Sequence, residues 1–98
     1  MTEKLKITRG SGNVFQDLGF PSDEAQNLQL RSDLMTRIEK FVRASGLMQK
    51  DAAARLGVTQ PRLNDLLKGK IDKFSLDALV NMLGRAGMRV EIKVKKAA

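Results

Sequence analysis

The sequence predicts a mainly α-helical single domain closed by one β-strand, and three observations predict it. Five stretches of helical character are each followed by a glycine, at Gly19, Gly46, Gly57, Gly69 and Gly87; glycine accepts the positive φ at which helices commonly end. Residues 49–68 read as two short helices joined by a sharp turn. Residues 88–95 alternate strictly, with Met88, Val90, Ile92 and Val94 apolar and Arg89, Glu91, Lys93 and Lys95 charged, the pattern of a strand with one buried face. A chain of 98 residues allows one domain with a modest core.

Taken in order, residues 1–12 form an N-terminal arm and residues 13–98 the domain. Lys4-Leu5-Lys6-Ile7-Thr8 alternates and suits a short strand, which Arg9-Gly10-Ser11-Gly12 breaks. Asn13 can cap a short helix from Val14 to Leu18, with Phe15 and Leu18 on its buried side. Pro21 and Ser22 open the next helix, with Ser22 as cap and Asp23 and Glu24 at the positive end of its dipole. That helix runs to Ser45, with a bend expected around Arg31-Ser32, and Leu34, Ile38, Phe41 and Val42 form its packed stripe.

The segment from Gln49 to Lys68 carries the most information. Its first helix runs from Gln49 to Leu56, with Ala53 small enough to admit a close neighbour and Leu56 packed beneath it. Gly57 turns the chain, Val58 fills the corner, and Thr59 can cap the second helix by accepting an orphan backbone N–H. Pro61 sits in the first turn, where a missing N–H costs nothing. Leu63, Leu66 and Leu67 recur at i, i+3 and i+4, which buries one face and leaves Gln60, Arg62, Asn64, Asp65 and Lys68 on the other. This is the layout of a helix-turn-helix unit, which sets its second helix in the DNA major groove.

The outer face suits base edges. Arg62 can fork onto guanine, Gln60 or Asn64 can pair with adenine, and Asp65 can accept from cytosine N4. Gln49 and Thr59, at helix starts, and Lys68 and Lys70, past the helix end, are candidates for phosphate. Asp65 would be repelled by phosphates unless it meets a cytosine or a cation, and Arg62 and Lys68, at i−3 and i+3, are the local cations within reach.

After Lys70, Ile71 to Phe74 is a connector. Ser75 caps a helix to about Ala86 with Leu76, Leu79, Val80 and Leu83 as its packed face, and the strand at 88–95 follows. A lone strand leaves backbone groups unpaired. It can pair with residues 4–8, with its counterpart in a second subunit, or with another protein. The two-fold seam is favoured, with Met88, Val90, Ile92 and Val94 as dimerisation residues, because operator-binding proteins of this type need two recognition helices about 34 Å apart.

Composition sets the outer limits. The formal charge is +7, which fits a polyanionic partner. Residues 45–73 carry six basic and three acidic groups and residues 85–98 five and one, against four and five in residues 10–44. The surplus therefore lies around the motif and in the tail. There is no cysteine and no histidine, so thiolate sites and the commonest general base and metal ligand are missing. No catalytic residue, metal site or cofactor is expected, and an enzyme is disfavoured. Four Phe without Tyr or Trp give poor support to base stacking on single strands. Without a signal-like or bilayer-spanning run, a cytoplasmic location is expected.

Residues Gln49 to Lys70 resemble the lambda-repressor-like helix-turn-helix of the xenobiotic-response-element family of bacterial regulators. With Gly12-Asn13-Val14-Phe15-Gln16-Asp17-Leu18-Gly19, Gln60-Pro61-Arg62, Gly69-Lys70, Phe74-Ser75-Leu76 and the closing strand, the likeness extends to the compact branch related to host-inhibition-of-growth antitoxins. The resemblance implies a five-helix domain and a dimeric repressor of its own operon. For some relatives it also implies an antitoxin that binds and neutralises an RNA-cleaving toxin. By position it gives Gln49 a phosphate role, sets Gln60, Arg62, Asn64 and Asp65 on the base-reading face, and makes Lys68 and Lys70 backbone contacts. The chain departs from that pattern at Asn64-Asp65, where relatives frequently carry Ser or Thr followed by a basic residue.

Overall fold

The computed structural model describes residues 3–7 and 13–96. In chain order they form strand β1 (Glu3–Ile7), helices α1 (Val14–Asp17), α2 (Ser22–Ser45), α3 (Gln49–Leu56) and α4 (Gln60–Leu67), a 3-10 turn (Ile71–Lys73), α5 (Leu76–Arg85) and strand β2 (Met88–Ile92). The break expected at Arg9-Gly10-Ser11-Gly12 lies outside the described residues, as does Thr8.

The helix limits follow from their caps. The Asn13 carboxamide oxygen accepts from the amides of Phe15 (2.9 Å) and Gln16 (3.3 Å), starting α1. Its Nδ2 donates to the carbonyl of Ala25 at 3.1 Å. One side chain, only 9% exposed, therefore caps α1 and ties it to α2. Ser22 was expected to cap α2, but it is the first helical residue. The Pro21 carbonyl accepts from Ala25 N–H at 2.7 Å, so the extended Pro21 occupies the cap position, without a side-chain bond. α2 then continues unbroken through Arg31-Ser32 to Ser45, and Gly46 ends it at φ +69°.

The core is one apolar cluster. Leu34, Met35 and Ile38 of α2 meet Ala52, Ala53 and Leu56 of α3, Leu63 and Leu66 of α4, and Leu79, Met82 and Leu83 of α5, with Phe74 among them. Phe41 and Val42 pack at its margin. On α5 the expected Val80 is exposed and Met82 is buried instead. Helical geometry explains the exchange, since residues 79, 82 and 83 share one face while position 80 is turned about 100° from 79.

β2 pairs with β1 in parallel, Glu3 beside Met88 through to Ile7 beside Ile92. Parallel partners need a long crossover, and here all five α-helices of the described residues supply it. The internal pairing, one of three possibilities open from the sequence, thus occupies one edge of β2. The strand ends at Ile92, short of the expected residue 95, with Ile92 beside Ile7 as the last described pair. Of the four residues assigned to a dimer seam, Met88 is buried in the domain's own core and Val90 packs against it. Ile92 and Val94 are 49% and 88% exposed. Among the described residues no helix is long and apolar enough to cross a membrane.

Candidate nucleic-acid interface

The interface is built on α3, the turn after it and α4. Two backbone bonds close α3, from Gly57 N–H to Ala54 (3.1 Å) and from Val58 N–H to Ala53 (3.0 Å). Gly57 sits at φ +75°, and a Cβ there would stand 2.6 Å from Arg85 Nε, which lies over the turn. The left-handed conformation and the close guanidinium both call for glycine. Thr59 then caps α4 as the sequence predicts, its hydroxyl accepting from Arg62 N–H at 3.3 Å. Pro61 occupies the first turn.

Leu63 and Leu66 are buried and hold α4 from behind. With Ala52 and Ala53 both buried, the second small residue was not singled out from the sequence, where its pairing with Ala53 gave no spacing signal. On the outer side, Gln49, Gln60, Pro61 and Asn64 line one open depression of about 420 Å³. The structure therefore brings together an amide from the start of α3 and two from α4. Gln60 is exposed, while Gln49 and Asn64 are half-buried. Such amides can donate and accept at once, which matches the paired donor and acceptor of an adenine edge.

Arg62 is not on that depression. Its guanidinium carbon lies 4.5 Å from the centroid of the Phe74 ring, a cation–π contact. The side chain stays exposed and lines a second, smaller cleft with Val58, Asn81 and Arg85. The place expected for it beside Gln60 and Asn64 gives way to the Phe74 ring, which reaches Arg62 from beyond the end of α4.

Asp65 is paired, but with neither Arg62 nor Lys68. Its carboxylate lies 3.2 Å from Lys70 Nζ and 3.5 Å from Lys73 Nζ. The side-chain hydrogen bond from Lys70 is the main reason its pKa lies below the ordinary 3.8; the charges of both lysines add to it and desolvation opposes it. The turn after α4 brings these lysines back. Gly69 N–H donates to Leu66 (2.9 Å) and Lys70 N–H to Asp65 (3.1 Å), with Gly69 at φ +76°, a Schellman closure. Lys68 and Thr59 are exposed, and Lys70 is exposed apart from its ion pair.

One residue that positions this segment was missed. Arg31 of α2 donates from Nη1 to the carbonyls of Ile71 (3.2 Å) and Phe74 (3.4 Å), and from Nε to Asn27 Oδ1 (2.7 Å). Its backbone partners lie 40 and 43 residues away in sequence, so no local pattern could have shown it. Among the described residues no cluster of three His, Cys, Asp or Glu side chains could hold a metal ion.

The family model described as "Helix-turn-helix domain" matches residues 14–95. No curated protein matches the chain.

Proposed function

Since the chain belongs to the helix-turn-helix domain family, whose members' architecture suggests DNA-binding regulation, we propose that it is a sequence-specific double-stranded DNA-binding transcriptional regulator acting as a dimeric repressor. The observation that carries this reading is the convergence of Gln49, Gln60 and Asn64 on one open depression of α4, with Leu63 and Leu66 buried behind it. In this reading Gln60 and Asn64 meet base edges in the major groove, while Gln49, Thr59, Lys68 and Lys70 meet phosphates on either side. Arg62 joins the base-reading set by swinging from Phe74 or by reaching out from its place on the ring. Asp65 accepts from cytosine or stays with its lysines. The lambda-repressor-like arrangement and a cytoplasmic location belong to the same proposal.

The test is selection of genomic fragments bound by the purified protein, followed by affinity measurements across salt. A palindromic consensus with half-site centres one helical turn apart, and a steep fall in affinity with salt, is the expected result. Equal affinity for all sequences would overturn the base-reading assignment.

A second reading, an antitoxin that neutralises an RNA-cleaving toxin, draws support from α1 and its flank. Val14 is 53% exposed, and Leu18, expected on the buried side of α1, is 69% exposed because it lies past the helix end; the two stand four residues apart, with Phe20 also exposed. Apolar groups left open in this way suit a protein partner. Co-expression with the product of an adjacent gene, with and without Leu18→Asp, tests it. Loss of co-purification in the variant alone is the expected result.

A further inference from the structure

We infer that the free edge of β2 pairs antiparallel with β2 of a second copy of this chain, in a register centred on Val90 that stands Arg89 of each copy opposite the partner's Glu91. This rests on the dimeric half of the proposal above and not on its DNA-binding half. The sheet of the described residues has two strands, and β1 takes one edge of β2. The other edge carries a row of backbone donors and acceptors that no described strand meets, and such an edge is a template for another chain.

Symmetry and charge select the register. Antiparallel strands related by a two-fold axis through the sheet keep each residue on its own face, so the axis must pass beside a residue and not between two. Centred on Arg89 or Glu91, like charges face each other across the axis. Centred on Ile92, Glu91 meets Lys93 but Arg89 meets Lys95. Centred on Met88, only half of the strand finds strand to pair with. Centred on Val90, all five residues of Met88–Ile92 pair, and two Arg–Glu pairs form, one on each side of the axis. Opposite charges directly across an antiparallel pair stabilise it, and like charges oppose it.

Lys4 stands in register with Arg89 and Lys6 with Glu91. Glu91 has an interaction within its own chain as well, and a carboxylate with two oxygens can serve both. On the apolar face, the exposed Ile92 comes opposite the partner's Met88, and Val90 meets the partner's Val90.

Sedimentation equilibrium of the full chain tests this with R89E, E91R and the double variant R89E/E91R. The wild type should be dimeric, and each single change should raise the dissociation constant by about tenfold or more, since two pairs turn repulsive. The double variant should return to about the wild-type value. An equimolar mixture of the R89E and E91R chains should form a heterodimer, because their β2 strands then face each other with opposite charges throughout. A dimeric wild type whose single variants are equally dimeric would overturn the register. A wild type monomeric up to about 100 µM, well above the working range of a regulator that binds its site at nanomolar concentration, would overturn the second copy as occupant. Binding of the same samples to a single half-site reports the DNA-binding reading separately, since a monomer that loses the seam keeps its recognition helix.

Discussion

Asp65 and Lys70 are joined twice. The Lys70 amide donates to the Asp65 carbonyl at 3.1 Å, and the Lys70 ammonium stands 3.2 Å from the Asp65 carboxylate. The backbone bond closes α4 and so sets where Lys70 leaves the helix; the ion pair follows from that closure. A carboxylate on a face proposed to meet a polyanion is thereby matched by two cations of its own chain. The phosphates of a bound duplex would compete with Asp65 for the same ammonium groups.

The pairing has a pH signature. A lowered folded-state pKa means that the contribution of Asp65 to stability is present above its ordinary value of 3.8 and is lost as pH falls through the lowered value. Carboxyl-carbon NMR of the folded protein should therefore show Asp65 titrating below 3.8, and Lys70→Met should bring it back towards 3.8. High salt should have the same direction of effect, because the pair is partly exposed. An Asp65 that titrates at its ordinary value in the wild type would mean that the pair is not populated in solution.

Removing the carboxylate should release both lysines. Asp65→Asn is expected to tighten binding to all duplexes and to steepen the dependence of log K on log salt by up to about 0.9 for each ammonium that gains a phosphate. If Asp65 also reads a cytosine, discrimination at that base pair falls by about 1–3 kcal/mol in the same variant. Competition assays on the selected operator and on random duplex at several salt concentrations separate the two effects.

Arg62 gives two readouts that part company. Its contact with Phe74 is an exposed cation–π pair, so Arg62→Ala should cost only about 0.5–1 kcal/mol of stability. Its proposed role at a base should cost about 1–3 kcal/mol in binding, confined to one base pair. Urea melts and a panel of single-base operator variants measure them independently. A variant that loses stability but binds every operator as before would leave Arg62 as a structural cation alone.

Much of this was legible in the sequence, for a physical reason. The caps of α1, α4 and α5 and the glycines after the helices are local devices, written within four residues of where they act. The leucines behind α4 announce themselves by period. What escaped depends on contacts distant in sequence or on choices between near-equal neighbours. Asp65 finds Lys70 and Lys73 through a turn, beyond the i−3 and i+3 positions where helical pairing was sought. Met82 displaces Val80 from the α5 face because a few tens of degrees of helix rotation decide between them. The parallel pairing of β2 joins the two ends of the chain, and alternation within a strand carries no information about its partner.

Gly57 should tolerate no side chain. At φ +75° an alanine costs about 1–2 kcal/mol through its backbone alone, and its Cβ also displaces the Arg85 side chain. Adding Arg85→Ala should relieve the second effect and leave the first. Thermal denaturation of Gly57→Ala with and without Arg85→Ala tests this, and equal stability of wild type and Gly57→Ala would contradict the geometry.

Arg31 is the residue whose loss should reach furthest. Its guanidinium joins α2 to the segment that carries Lys70, Lys73 and Phe74, by donating to the carbonyls of Ile71 and Phe74 while Asn27 steadies Nε. Hydrogen bonds from a charged donor contribute about 1.5–3 kcal/mol, so Arg31→Met, which keeps much of the aliphatic stem, should lower stability by roughly that amount in urea melts. Arg31→Lys should recover only part of it, because one ammonium cannot match a planar fork that serves three acceptors. If the segment is held in place chiefly by this side chain, DNA affinity should fall by a similar factor for operator and random duplex alike, since the lysines and not the base-reading amides lose their support. A loss restricted to one operator position would instead assign Arg31 an effect on base recognition, and unchanged stability would show that the packing of Phe74 suffices to hold the turn without it.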